Sequence, residues 1–396
     1  MKKILVPLAG IIALLALVYA GAFYWKNLRG VGPVIFSPSD DITEKITENS
    51  ADIPLKLPEG FSISVFAKNL PGARVIEFDS LGNMWVSQTS EGQVSLLEVK
   101  DSKVDKQYAV FRNLKRPHGL AFDPEIKTKL YIAEENKISS ALTYSGAGME
   151  KIIDLPAGGN HFSRTIGFGP DGNLYISIGS TCNVCNESDN RRAKIFSLNT
   201  DGSDFKEFAK GLRNSVFFTW HPNSKKMWAT DMGRDLLGDD IPPDEINIVE
   251  NGKNYGWPTC YGKNIHDTNF DKNTYIRNPC MEPFETPSYI DIPAHSAPLG
   301  LAFVPQNSNW PDEYKGDLLV AYHGSWNRST PTGYKIVTMK LSANGDYEGT
   351  EDFISGWLTA DNRALGRPVD LKFGPDGALY ASDDKAGVIY RISYNK

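Results

Sequence analysis

The sequence predicts a six-bladed β-propeller preceded by one N-terminal transmembrane helix or signal peptide. A strand-turn-strand signature recurs six times, its copies are spaced by about the length of a four-stranded blade, and no long helical period interrupts them. Each copy has an apolar strand, a Pro-Asp-Gly or similar turn, and a second apolar strand ending in small or acidic residues, the pattern of a hairpin in a half-buried sheet. The copies begin at Val75, Gly119, Ile166, Phe217, Gly300 and Val369, so successive starts lie 44, 47, 51, 83 and 69 residues apart. Inserted loops account for the two longest intervals. A β-sandwich uses similar hairpins but does not explain one signature repeated six times.

The elements divide as residues 1–25, 26–53 and 54–396. After Met1-Lys2-Lys3, the stretch from Ile4 to Trp25 carries no charge and is long enough to cross a bilayer as a helix. The two lysines favour an N-in orientation, which places everything downstream on the extracytoplasmic side, periplasmic or at the outer face of the cytoplasmic membrane. Ala20-Gly21-Ala22 also fits a signal-peptidase site, so a cleaved signal peptide competes with a retained membrane anchor. Residues 26–53 mix Pro, Ser, Asp and Glu without a clear period and read as a linker.

The chain has 396 residues, 41% of them hydrophobic, and a formal net charge of -6, so a large core is available but no broad basic surface for a nucleic acid. Against that acidic background, polar and mostly basic residues stand in register just before the first strand of each copy. They are Arg74, then Arg116 and His118, His161 and Arg164, Arg213 and Asn214, His295, and Arg367. In a propeller these positions meet at one mouth of the central channel. Converging guanidinium groups desolvate well only against carboxylates or phosphates, so the mouth is expected to hold a small, multiply anionic ligand.

Asn160-His161 ahead of a Gly-Pro-Asp-Gly hairpin, Gly211-Leu-Arg-Asn214, Asp244-Glu-Ile-Asn247, Asn254-Tyr-Gly-Trp-Pro258, His323-Gly-Ser-Trp-Asn-Arg328 and Gly366-Arg-Pro368 occur in that order. Together, over roughly residues 55–394, they resemble the glucose/sorbosone dehydrogenase family, propellers that use pyrroloquinoline quinone (PQQ), a flat tricarboxylate, with calcium. The resemblance implies that His161 is the general base that takes the proton of a sugar C1 hydroxyl while hydride passes to the quinone. It implies that Arg213, Asn214 and Arg367 grip the cofactor and that the backbone carbonyls of Gly233 and Arg234 hold Ca2+, a hard cation that prefers oxygen ligands. Three positions depart from the better-known soluble glucose dehydrogenases. Val369 stands where they have a second arginine, Arg234 where they have a proline, and no lysine aligns in the fifth blade, where Asn327 and Arg328 are the candidates in its place. An anchored dehydrogenase would pass electrons to a membrane quinone or a cytochrome.

The four cysteines, Cys182, Cys185, Cys260 and Cys280, read as two disulfides, 182 with 185 and 260 with 280, in an oxidising compartment. Asn186 in place of His excludes c-type haem attachment, whereas a four-cysteine zinc site and a redox-active dithiol stay open. His221 reads as a packed hairpin residue, and Asp239, Asp240, Asp244 and Glu245 as either a second calcium site or a solvated loop. His118, His161 and His295 are a further metal alternative. No hydrolase elbow, phosphate loop or dinucleotide fingerprint is present. Two other functions remain beside the dehydrogenase: a calcium-dependent lactonase and a non-catalytic propeller used as a binding module.

Overall fold

The computed structural model describes residues 14–21, 53–146 and 148–394. Residues 14–21 are helical, and among the described residues no helix is long and apolar enough to cross a membrane. The rest of the expected anchor or signal peptide, residues 1–25, and the expected linker up to Ile53 lie outside the described residues.

After β1 (Phe61–Ala67), four-stranded antiparallel sheets follow one another along the chain. The first contains β2 (Ala73–Phe78), β3 (Met84–Gln88), β4 (Gln93–Lys100) and β5 (Lys103–Phe111). The second contains β6 (Gly119–Phe122), β7 (Lys129–Glu134), β8 (Lys137–Leu142) and β9 (Glu150–Asp154). The third contains β10 (Ile166–Phe168), β11 (Leu174–Ile178), β12 (Lys194–Leu198) and β13 (Lys206–Lys210).

In the fourth, β14 (Phe218–Trp220), β15 (Met227–Asp231) and β16 (Asp244–Val249) are followed by an insertion before the outer strand. That insertion holds the hairpin of β17 (Cys260–Tyr261) and β18 (Ile265–His266), and β19 (Ile290–Ile292) completes the blade. The fifth has β20 (Pro298–Phe303), β21 (Leu318–Tyr322), β22 (Lys335–Leu341) and β23 (Tyr347–Ile354). The last has β24 (Pro368–Phe373), β25 (Leu379–Asp383) and β26 (Val388–Tyr394), and β1 supplies its fourth strand by pairing Phe61 with Tyr394. The six expected blades are therefore all present. The ring is closed by pairing the two ends of the propeller, a contact between residues 333 positions apart that no local pattern announces.

The repeated turn has a physical cause. In Pro170-Asp171-Gly172-Asn173, Gly172 takes φ +81°, and Asp171 accepts the hydroxyl of Tyr175 at 2.9 Å, tying the turn to the strand it starts. Asp376 accepts from Tyr380 at 3.0 Å and Asp79 from the indole of Trp85 at 3.0 Å, so the same device recurs with different aromatic donors. In the fourth blade His221 stands in for the aspartate. Its Nδ1 accepts the backbone N–H groups of Asn223 and Ser224 at 3.1 and 3.2 Å, and its ring packs on Trp228 and Phe303, as expected of a packed histidine. Core side chains fill the wedges between blades, with Trp85, Trp228, Trp310 and Trp357 fully buried, each ring contributing on the order of 2–3 kcal/mol by removal of apolar surface from water.

Candidate active site

Antiparallel pairing puts the start of each first strand and the end of each second strand at the same face. The residue ending the second strand fixes the backbone just ahead of the first. Asp231, ending β15, accepts the N–H groups of Arg213 and Asn214 at 2.9 and 2.6 Å. Asp383, ending β25, accepts the N–H of Arg367 at 2.9 Å, and Glu134, ending β7, that of Lys115 at 2.6 Å. The acidic strand ends visible in the sequence are thus what aim the residues at the mouth.

These residues surround a cavity of about 290 Å³, whose wall includes His161, Arg213, Asn214, Gly233, Asn327 and Arg367, with Arg74 and His295 of the same register set, and also His323. The Arg328 side chain lies elsewhere, and that of Arg234, expected only for its backbone carbonyl, is directed away. Arg328 leaves the cavity wall and holds its loop through Asp240, at 2.8 Å, and the carbonyl of Ala294. The Arg234 side chain turns into a separate buried space and pairs with Asp267 at 3.1 Å. Arg164 and His118 share the register of the mouth but are fully buried. Arg164 spends its donors on the carbonyls of Pro156, His161 and Ser163, which shapes the loop that carries His161.

His161 has a defined tautomer. Its Nδ1 lies 3.0 Å from the carbonyl oxygen of Ser180 and 2.9 Å from the Ser180 hydroxyl. A carbonyl only accepts, and the hydroxyl already donates to the carbonyl of Cys182 at 2.8 Å. The proton therefore sits on Nδ1, and Nε2 keeps its lone pair. Burial, then the charge of Arg213, push the imidazole pKa down to about 3, so the ring is neutral across the physiological range.

Arg213 is caged. Nε donates to the Asn183 carbonyl at 2.8 Å, Nη1 to the carbonyls of Met232 and Gly233 at 3.2 and 2.9 Å, and Nη2 to Asn183 Oδ1 and Asp235 at 2.9 and 3.3 Å. All five guanidinium N–H groups are thereby committed, leaving the planar face and the charge to act on a ligand. Asn183 lies inside the Cys182–Cys185 disulfide loop, so that loop serves both Arg213 and, through Ser180, His161. The second expected disulfide, Cys260–Cys280, is also present.

Arg74 and Arg367 are less fully used. Arg367 donates from Nε to the His323 carbonyl at 2.9 Å and from Nη2 to that of Gly324, over the ring of Tyr334. Arg74 meets Asp384 at 2.8 Å, and its buried Nε has no partner. Asp384 also accepts His323 Nε2 at 2.9 Å. Asn327 gives its amide N–H to Asp235 at 2.8 Å, while its buried Oδ1 is unpartnered. An unpaired buried Arg74 donor in a cavity lined by three arginines fits a flat polycarboxylate that adds carbonyl and carboxylate acceptors of its own.

The metal alternatives resolve differently. The acidic cluster is dispersed onto protein donors: Asp239 takes the Ser329 N–H, Asp240 takes Arg328, Asp244 takes the N–H groups of Gly233 and Ala297, and Glu245 takes that of Gly262. Among the described residues, one group of three metal-type ligands comes together, Cys182, Cys185 and Glu187, and its sulfurs are joined in the disulfide. His118, His161 and His295 do not assemble.

Residues 55–395 match the TrAA12-like family over nearly the whole propeller. The chain belongs to that family. TrAA12-like proteins and their relatives are PQQ-dependent sugar dehydrogenases on six-bladed propellers, so the chain is a quinoprotein sugar dehydrogenase, as the motif resemblance implies. An uncharacterized protein of Borreliella burgdorferi is 35% identical over 362 residues, covering 86% of this chain and 91% of that protein. The pyrroloquinoline quinone-dependent pyranose dehydrogenase of Coprinopsis cinerea is 25% identical over 406 residues. That match covers 85% of this chain and 54% of the fungal enzyme, so the chain spans about half of its length. In fold, the TrAA12-like propeller superposes on the solved PQQ domain of the Coprinopsis enzyme with a TM-score of 0.73 at 19% identity, covering 87% of this chain and 98% of that domain. It superposes on the calcium structure of the Trichoderma reesei family AA12 enzyme with a TM-score of 0.76 at 20% identity, covering 88% and 99%.

Proposed function

We propose that the protein oxidises the C1 hydroxyl of an aldose, or a related sugar aldehyde, with His161 as general base and PQQ and Ca2+ as cofactors. When bound, PQQ supplies a two-electron acceptor for the hydride of the C1–H bond. The chain's own part is positioning and proton transfer. Arg74 and Arg367 pair with carboxylates, Arg213 lays its charge and planar face along the site, and Asn214 and Asn327 offer amide groups at its edge. His161 accepts the hydroxyl proton on Nε2, and Ser180 stabilises the resulting imidazolium through Nδ1–H. The observation that carries this reading is the fixed Nδ1–H tautomer of His161 beside three arginines in one cavity.

Calcium is assigned to the carbonyls of Gly233 and Arg234. The Gly233 oxygen already takes one N–H of Arg213 and keeps a second lone pair. A dication beside that guanidinium needs the carboxylates of the cofactor to offset the charge, so metal and cofactor are expected to bind together. We also place the propeller on the extracytoplasmic side, anchored or secreted through its N-terminal segment, with a quinone or cytochrome as electron acceptor; the two disulfides support an oxidising compartment.

Dye reduction by the full-length protein, with PQQ and calcium supplied and a panel of aldoses and sorbosone as donors, tests the assignment. His161→Ala is expected to lower kcat by about a thousandfold, the middle of the range for a positioned general base. Activity within tenfold of wild type in that variant would remove His161 from the role. Folded protein that reduces no dye with any donor would remove the function.

A further inference from the structure

The cavity at the mouth does not end at the cofactor residues. Arg74, Phe162, His323 and Arg367 also line a second space of about 490 Å³, which runs outward past Arg116 and Lys385. We propose that this outer space is a subsite for an oxyanion on the sugar, so that the preferred substrate is an acidic aldose, carrying a carboxylate or phosphate away from C1.

This inference rests on the dehydrogenase reading above. Its own support is the charge around the outer space. Arg74, Arg116, Arg367 and Lys385 face two carboxylates, Asp384 and Glu135, in a protein whose net charge is -6. Asp384 is occupied by Arg74 and His323, at 2.8 and 2.9 Å. Glu135 gives one oxygen to the N–H of Gly158 and stands 3.8 Å from both Lys115 and Arg116 with the other, too far for a hydrogen bond. Among the described residues, no carboxylate pairs with Lys385. The inner arginines, the part-buried Arg74 and the buried Arg367, have donors to spare for the cofactor, whereas Arg116 and Lys385 stand further out, where a second anion would lie.

Arg116 is held in place at a cost. It adopts φ +49°, a conformation disfavoured for any side chain with a Cβ, and its guanidinium lies 4.7 Å from the centre of the Phe162 ring, the residue next to His161. A half-exposed arginine held over the neighbour of the base is placed to receive the far end of a sugar whose C1 meets His161. His323 is held down to about 4, first by burial and then by the charge of Arg367. The oxyanion takes no part in the redox step. With PQQ bound as the two-electron acceptor, the C1–H pair would leave as hydride and the hydroxyl proton would go to His161, giving a lactone still bearing its acid.

The test compares matched pairs on the PQQ-loaded, full-length protein: glucose with glucuronate, galactose with galacturonate, and glucose with glucose 6-phosphate. The expected result is kcat/KM higher for the acid by about tenfold or more in at least one pair, the size of one charge-assisted hydrogen bond, and declining as salt is raised. The double variant Arg116→Gln and Lys385→Gln is expected to bring that ratio down about tenfold, with PQQ affinity unchanged. Preference for uronates or for the phosphate distinguishes a carboxylate from a phosphate subsite, and either supports the proposal. Oxidation of neutral sugars with no preference for any acid overturns the subsite and leaves the dehydrogenase standing. A double variant that keeps the preference, or that weakens PQQ binding instead, assigns the cations elsewhere and overturns it too. No PQQ-dependent oxidation of any sugar sinks both readings.

Discussion

Gly179→Ala isolates the geometry of the base from the stability of the fold. Gly179 follows β11 with an ordinary φ, so alanine is not strained by the backbone. A Cβ there would lie 2.7 Å from His161 Cβ and 2.7 Å from Asn214 Oδ1, where ordinary contact needs 3.4 Å or more. Relief therefore requires His161 and Asn214 to move apart by somewhat under ~1 Å, a displacement that costs catalysis about 100-fold when it falls on a positioned group. Overpacking of this kind costs stability about 1–3 kcal/mol. Gly172→Ala, in the hairpin at the opposite end of the same two strands, is the control. Its φ of +81° penalises alanine, but nothing lies within 4 Å of the new Cβ. That variant is expected to lose about 1–2 kcal/mol of stability and to keep its turnover. Urea unfolding and kcat with a single aldose, measured on both variants, separate the two effects. If Gly179→Ala kept kcat within threefold of wild type, or if both variants lost activity in proportion to stability, the close packing of His161 against β11 would not be what positions the base.

Three further outcomes follow from the same geometry. Replacing Cys182 and Cys185 by serine is expected to lower kcat about tenfold or more, because their loop carries Asn183 and the Cys182 carbonyl; replacing Cys260 and Cys280 should instead lower stability by about 3 kcal/mol with kcat retained, as unfolding and dye-reduction assays would show. Ser180→Ala removes one of two acceptors from His161 Nδ1, so kcat is expected to fall about tenfold with KM little changed, and threonine should restore most of it. The pKa of His161 is depressed when folded, so the unfolded chain takes up a proton below about 6.5 that the native state refuses until about 3. The stability of wild type relative to His161→Gln should therefore be highest above pH 7 and decline by about 2.7 kcal/mol by pH 4.5, measured by urea unfolding across that range.

The propeller was legible because its cause is local. The turn aspartate, the glycine at positive φ and the aromatic donor four to six residues later lie within one hairpin, and six copies reinforce one another. Closure by β1 was not legible, because the partners of Phe61–Ala67 lie at the far end of the chain and the strand lacks the turn signature. At the mouth, position before a first strand picked out Arg74, His161, Arg213, Asn214, His295 and Arg367, all of which line the cavity. The same rule could not separate them from Arg164 and His118, since register fixes where a residue sits along a strand and not which way its side chain turns. The partners that orient the site, Ser180, Asp235, His323 and Asp384, come from the ends of second strands and the loops after them. Their signal was the small or acidic residue closing each repeat, which the structure explains as the acceptor for the backbone of the first strand. Asn327 and Arg328 are adjacent, yet one enters the cavity and the other leaves it, a choice made by the remote carboxylates Asp235 and Asp240.

The central claim is that the arginine-lined mouth is the PQQ site. Calorimetric titration of PQQ into the full-length protein with calcium present, beside Arg367→Gln and Arg74→Gln, tests it most directly. The account expects one PQQ per chain, with affinity at least tenfold weaker in each variant. Folded wild-type protein that binds no PQQ, or binding that neither substitution weakens, would contradict it.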